Sequence, residues 1–449
     1  MSTRHAMSSA DAAWLRMDRP TNLMIVNSVL WFDEPVDWER CKAVFVDRIV
    51  DRFDRFHQRA AGGLPLTSPH WEDDPGFDPA LHFHHVALPA PHDRATLQAF
   101  IADRISTPLD PSRPPWEVFL IDDFGSGCAI LVRIHHSVAD GIALARVMLT
   151  LTDGGEPGAG IAEAASRNGG LHALGSLARL AGAAAHEGIE TLLHPEHART
   201  LATGAAGDAQ TLAKLLRPGA DPRSAIKGEQ SIAHLVAWSA PVPLWRVKRA
   251  GRAHGATVND VLVSAVTAAV GRHLREQGDD IDEVHALVPF NLRPLDRPLP
   301  RELGNRFGLV LLGLPVGITE PLERLAEVKR RMDAIKDSHE GAFAYGILGL
   351  MGRTPVQLEQ RLLDYFTAKG SMVLTNVPGP RHHLSLAGTP LSGVLVWAPC
   401  SGSVGMSVSV FSYAGKVTVG FLTDAGLVAD PQALADGFRE ELLALARAA

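Results

Sequence analysis

The sequence predicts an α/β protein of two domains, and three observations carry that prediction. The stretch Ile130-Leu-Val-Arg-Ile-His135-His136-Ser-Val-Ala-Asp140-Gly141 passes from strand-forming residues through a tight corner into residues 142–151, which read as a helix. After an interval rich in Gly, Ala and Pro, the chain restarts at Ile232 with further strands and helices. At 449 residues it is long for one domain, and two is the prior expectation.

Composition narrows the class. Hydrophobic residues make up 46% and charged residues 21%, an ordinary globular balance, and the net charge of −7 gives no nucleic-acid footprint. Cys41, Cys128 and Cys400 lie far apart and form no CxxC pair, so neither a disulfide framework nor a zinc knuckle is implied and a reduced cytoplasm fits. Met1-Ser-Thr-Arg-His-Ala leads into no apolar signal region. The longest apolar stretch, residues 307–318, is shorter than the ~20 residues a bilayer span needs and carries Pro315. Any membrane contact is therefore made from the surface.

Taken in order, residues 9–18 read as a short helix ended by Pro20, and 24–32 as a strand. Asp37 caps a helix whose apolar face is Cys41, Val44, Phe45 and Ile49. His82 and His84 share a strand face beside His85. No carboxylate or Cys sits at a telling spacing, so a polar strand face is favoured over a metal site. The prolines of 108–115 fix φ and feed a strand at 117–121. Residues 122–127 turn the chain and 128–134 return it, so the hairpin delivers the two histidines. The first domain is set at 1–155.

Residues 156–231 read as a helical linker, with Leu171, Leu174, Leu177 and Leu180, then Leu212, Leu215 and Leu216, on its apolar faces. A linker packed on one side is favoured over a membrane-contacting helix, which would want a Lys/Arg-rich polar face. The second domain, 232–449, opens with a strand at 232–239 and a helix at 244–250. Thr257 or Asn259 caps a helix that is apolar nearly all round and so is buried, with Asn259 and Asp260 in its first turn. A strand at 286–291 enters a loop holding Arg293. Residues 322–335 form an amphipathic helix with Leu325, Val328, Met332 and Ile335 on one stripe. A strand at 372–377 runs into Pro378-Gly379-Pro380, which cannot stay in a sheet. Residues 396–399 and a hairpin at 406–421 complete a sheet, and Asp430 caps a C-terminal helix.

The chemistry concentrates at the corner. Strand parity puts His136 on the face of Ile130, Val132 and Ile134, and His135 on the face of Leu131 and Arg133. At most one imidazole then faces a given cleft. A neutral imidazole is the best general base near pH 7. Asp140 caps the following helix, and Gly141 permits close approach or unusual dihedrals. From spacing alone, a buried histidine pair on a core strand is an equally good reading.

His135-His136-Ser-Val-Ala-Asp140-Gly141 resembles the active-site motif of the CoA-dependent acyltransferase superfamily, which includes chloramphenicol acetyltransferase and peptide-synthetase condensation domains. Three further blocks, in order, narrow the resemblance to the bacterial wax ester synthase/acyl-CoA:diacylglycerol acyltransferases: Pro114-Pro115-Trp116, Gly255-Ala-Thr-Val-Asn259-Asp260-Val and Asn376-Val-Pro-Gly-Pro380. The likeness runs from about residue 9 to 445. Asp18 stands where Glu is commoner in the family. Asn22-Leu-Met-Ile25 lacks the family's Pro and His, and Pro115 replaces a Leu.

The resemblance implies two chloramphenicol-acetyltransferase-like domains with a channel between them. It implies direct transfer of a long-chain acyl group from acyl-CoA, a substrate rather than a cofactor, to a fatty alcohol or a diacylglycerol. His136 is the base it implies, and His135 orients the loop. Asn259 and Asp260 scaffold the centre, and Arg293 is one candidate partner for Asp140. Thr375 or Asn376 either donates to the oxyanion or fixes the loop, while Trp116 packs beneath the active-site strand. No cofactor, metal or nucleic acid is implied. A carrier-protein-dependent condensation-type enzyme and a non-catalytic lipid-droplet surface protein are the alternatives.

Overall fold

Strand Gly127–His135 is buried at every position, as expected of a run of apolar residues covered on both faces. It is the middle strand of a five-stranded sheet in the computed structural model, which describes residues 4–62, 69–153, 220–291, 298–336, 367–400 and 402–448. The order is Gly393–Trp397, Ile25–Phe32, Gly127–His135, Trp116–Phe124, Phe83–Ala87. Only the Phe83–Ala87 pairing is parallel. Ile25 pairs with His135 and Trp116 with Ile134, so the histidines leave the sheet between two paired neighbours.

A second sheet of seven strands runs Phe307–Leu314, Val284–Asn291, Met372–Pro378, Met406–Tyr413, Lys416–Asp424, His234–Trp238, with Val242–Pro243 also on Lys416–Asp424. Helices Val258–Glu276, Pro321–Lys336 and Pro431–Arg447 pack together on it. Their apolar faces and the sheet share one core, from Val261 and Val266 to Phe421 and Phe438. A separate core under the first sheet holds Phe32, Trp71, Trp116 and Trp397.

Helix starts follow local side-chain chemistry. Asp37, Asp140 and Asp430 each accept first-turn backbone N–H bonds, and Thr257 forms a capping box with Asp260. Long-range pairing differs from the sequence expectation in one place. Val396 and Trp397 do not join the 406–421 hairpin in one sheet. Strand Gly393–Trp397 pairs with Ile25–Phe32, so the second half of the chain supplies an edge strand to the first sheet. Alternation marks a strand but carries nothing about its partner.

The two halves meet again at the motif. Gly304 N–H donates to Val138 O at 3.0 Å, and Ala139 bridges Gly304. The linker leucines from Leu171 to Leu216 lie outside the described residues. No helix among the described residues is long and apolar enough to cross a membrane.

Candidate active site

Two backbone bonds pin the end of the motif strand: His135 N–H to Pro115 O at 2.9 Å and His136 N–H to Met24 O at 2.7 Å. The rings then part. Ser137 N–H donates to His135 Nδ1 at 3.1 Å, which makes Nδ1 an acceptor and puts the proton on Nε2. That Nε2 faces Asp18 Oδ2 at 3.7 Å, and Asp18 Oδ1 accepts the Met24 N–H at 2.7 Å.

His136 takes the opposite tautomer. Its Nδ1 lies 3.1 Å from Asn305 Oδ1. The Asn305 amide cannot be turned round, because Nδ2 donates to two acceptors, Asp11 Oδ1 at 2.7 Å and His136 O at 2.8 Å. Oδ1 is therefore the acceptor, and His136 Nδ1 carries the proton. The Nε2 lone pair is left to receive one. Asp11 holds the arrangement a second time by accepting Asn305 N–H at 3.0 Å.

One helix supplies most of this support. Ser9–Met17, capped by Ser8, carries Asp11 and Trp14 and ends at Asp18, positions that share a face. Trp14 stacks on His136 with centroids 4.0 Å apart and 20° between planes. Phe307 tilts on the ring's surroundings at 5.7 Å, and Met17 and Met24 complete an apolar wall. Burial pushes the His136 imidazole down to about 4, so the ring is neutral at pH 7. Burial also raises Asp11 above the ordinary carboxylate range, against the lowering effect of its Asn305 bonds.

Asp140 binds two elements at once. One oxygen accepts Ala143 N–H at 2.8 Å as the cap of helix Gly141–Thr150. The other accepts Arg306 N–H at 3.0 Å, fixing the loop that carries Asn305. The arginine expected opposite it, Arg293, lies outside the described residues. Gly141 opens the helix without a left-handed φ, so no unusual dihedral requires glycine. A Cβ there would meet nothing within 4 Å, which leaves open space beside the helix start.

The remaining candidates form a second group. Asn376 Nδ2 donates to Asn259 Oδ1 at 2.8 Å, joining strand Met372–Pro378 to the first turn of helix Val258–Glu276. Asp260 is fully buried and closes the capping box through Thr257 N–H at 2.8 Å. Thr375 Oγ1 pairs with Ser409 Oγ at 2.9 Å. Trp116 lies under the motif hairpin, with Nε1 on Phe56 O at 2.8 Å and its ring on His82 at 4.2 Å. His84 and His85 turn to Glu117 and Asp122. Among the described residues no group of three His, Cys, Asp or Glu is placed to hold a metal. Cys41 and Cys128 are buried with thiols pushed up to about 12 and about 11, out of the nucleophile range.

Sequence reasoning missed Asp11, Trp14 and Asn305. The spacing of Asp11, Trp14 and Asp18 was a visible helical stripe, whereas Asn305 lies 169 residues from the histidine it holds.

Residues 7–262 match the wax ester synthase/diacylglycerol acyltransferase catalytic domain, and residues 303–446 match the C-terminal domain of the same family. A probable diacylglycerol O-acyltransferase of Mycobacterium tuberculosis is 31% identical over 87% of this chain and 84% of its own length. Another putative enzyme of that name from the same organism is 27% identical over 97% of this chain and 89% of its own. The wax ester synthase/diacylglycerol acyltransferase from Marinobacter aquaeolei shares the fold, with a TM-score of 0.68 at 20% identity over 98% of each chain. So does the first condensation domain of the calcium-dependent antibiotic synthetase, at 0.59 and 17% over 99% of this chain and 96% of that one.

Proposed function

The chain belongs to the wax ester synthase/diacylglycerol acyltransferase family and is an acyltransferase, and from that premise we propose that His136 Nε2 is the general base of acyl transfer from acyl-CoA to a lipid hydroxyl. The observation that carries the proposal is the hydrogen bond between His136 Nδ1 and Asn305 Oδ1, which reserves Nε2 for the acceptor.

Nε2 takes the hydroxyl proton as the alkoxide oxygen attacks the thioester carbonyl. The C–S bond then breaks, the ester forms, and the imidazolium returns its proton to the departing CoA thiolate. The atoms balance without a covalent enzyme intermediate, a metal or a cofactor. Burial keeps the ring neutral at pH 7 and makes the imidazolium, once formed, a ready proton donor to the thiolate, while it weakens the ring as a base toward the hydroxyl. His135, with Nδ1 engaged by the Ser137 N–H, orients the corner rather than carrying the proton. Asn259, Asp260, Thr375 and Asn376 shape the second wall, and an amide N–H of Asn376 is the candidate oxyanion donor. The acceptor is a long-chain alcohol or a diacylglycerol, met at a membrane or droplet surface.

The reading is tested by CoA-thiol release from palmitoyl-CoA with hexadecanol or dipalmitoylglycerol present. Release that requires an acceptor supports it, and the ratio between acceptors names the product. Release only from an acyl-carrier-protein donor overturns it in favour of condensation-type chemistry.

A further inference from the structure

Helix Leu244–Ala253 (Leu-Trp-Arg-Val-Lys-Arg-Ala-Gly-Arg-Ala) stands apart from the rest of the surface. Val247, Ala250 and Gly251 face the core, while Trp245, Arg246, Arg249 and Arg252 face outward. Trp245 is 56% exposed, the aromatic ring among the few large apolar side chains exposed in the described residues. The guanidinium carbons of Arg246 and Arg249 lie 5.4 and 5.6 Å from its ring centroid. The helix has four cationic residues and no acidic one, in a chain whose net charge is −7. Exposed Lys416, which pairs with Pro243 just before the helix, and Arg447 at the end of the last helix extend the basic field. Arg249 Nη2 donates to Ala446 O at 2.6 Å, which ties that end to the same patch.

The patch is joined at both ends to the elements that carry Asn376 and Asn259. Leu244 N–H donates to Gly415 O at 2.8 Å, and the neighbouring Ala414 N–H donates to Pro380 O at 2.9 Å. One turn thus holds both the start of the Trp245 helix and the Pro378-Gly379-Pro380 loop. At its other end the helix leads through a short turn to Asn259, the partner of Asn376.

We infer that the outer face of helix Leu244–Ala253 docks the protein on an anionic lipid surface, with Trp245 seated among the headgroups and Arg246, Arg249 and Arg252 on their phosphates. A single amphipathic ring ringed by cations fits a headgroup layer, where an aromatic edge is buried and guanidiniums bond phosphate oxygens. A nucleic acid would meet a negatively charged molecule with one small basic face, and a protein partner would want a wider apolar core. The inference rests on the proposed lipid acceptor, because docking here brings a water-insoluble hydroxyl to the edge where Asn376 and the Pro-Gly-Pro loop lie.

The test is co-sedimentation of the full chain with phosphatidylcholine vesicles and with vesicles of phosphatidylcholine and phosphatidylglycerol, seven to three. The wild type is expected to prefer the mixed vesicles about tenfold or more and to lose that preference in 0.5 M NaCl. Trp245→Ala weakens binding several-fold, Trp245→Phe recovers part of it, and Arg246→Glu/Arg252→Glu abolishes the preference. All three variants keep wild-type thiol release with a water-soluble alcohol, which separates docking from catalysis. Equal binding by wild type and Arg246→Glu/Arg252→Glu, or no binding to the mixed vesicles, overturns the inference. So does a dimer in gel filtration that Trp245→Ala dissociates, which would make a second copy the occupant. Loss of thiol release in the wild type itself would instead strike at the acyl-transfer reading.

Discussion

Asn305 and His136 exchange two hydrogen bonds, Nδ1–H to Oδ1 at 3.1 Å and Nδ2–H to the His136 carbonyl at 2.8 Å, although 169 residues separate them. The candidate base therefore exists in its working tautomer only when the loop before strand Phe307–Leu314 has docked on the motif corner. Asp11, on the N-terminal helix, settles which way the amide faces.

Asn305→Leu removes the acceptor at Nδ1 and frees the ring to choose either tautomer. Turnover is expected to fall about 10²-fold, the usual scale of general-base assistance, with KM for acyl-CoA little changed. Asp11→Ala leaves Asn305 in place but lets its amide flip, so the loss is smaller and again falls on kcat. Steady-state kinetics of both variants beside wild type check this. A loss confined to KM contradicts it.

Burial sets the pH dependence. With His136 held down to about 4, kcat/KM should stay flat from pH 8 down to pH 5 and fall only near pH 4, rather than near the ~6.5 of a free imidazole. Trp14→Ala hydrates the ring and moves the acid limb upward. Stability follows the same sign. Unfolded histidines take up protons below about pH 6.5 that the folded ring refuses, so stability is flat above that pH and declines between 6.5 and 4. Burial lowers His82, His234 and His273 as well, which adds to the effect. Thermal melting at pH 7.5, 6 and 5 should give falling midpoints.

Asp140→Ala removes a helix cap and the anchor of the Asn305 loop together. A loss of about 2–4 kcal/mol in unfolding free energy is expected from the two backbone N–H groups left without it, alongside a fall in kcat. Asp140→Asn keeps one acceptor, sets its amide NH2 against the other backbone N–H, and so recovers only part of the stability. Urea unfolding of the two variants separates these outcomes.

Arg133, fully buried on the motif strand, is matched by Glu117 and by Thr107 O. Glu117→Leu strands that guanidinium and should cost about 3–5 kcal/mol, while Glu117→Leu with Arg133→Met recovers much of it. A double-mutant cycle by chemical denaturation measures the coupling.

Local chemistry was legible in the sequence and long-range pairing was not. The strand–corner–helix at the motif and the caps Asp37, Asp140, Thr257 and Asp430 depend on neighbours a few residues away, so their residue types announce them. The opposite tautomers of His135 and His136 depend on Ser137, which is local, and on Asn305, which is not. Asn305 sits in Gly304-Asn-Arg-Phe, a stretch that reads only as the approach to an apolar strand. Gly393–Trp397 alternates as any strand does, and nothing in its pattern assigns it to the first sheet. Helix Leu244–Ala253 was legible as a helix, but which side of it is exposed is a property of the packed molecule.

The most direct test of the account is acceptor-dependent CoA release by His136→Ala beside wild type, each verified by circular dichroism as folded. A fall of about 10²-fold or more is expected in the variant, with His135→Ala less affected. A His136→Ala enzyme that releases CoA within a few-fold of wild type would remove His136 as the base and leave the Asn305–Asp11 arrangement a structural contact alone.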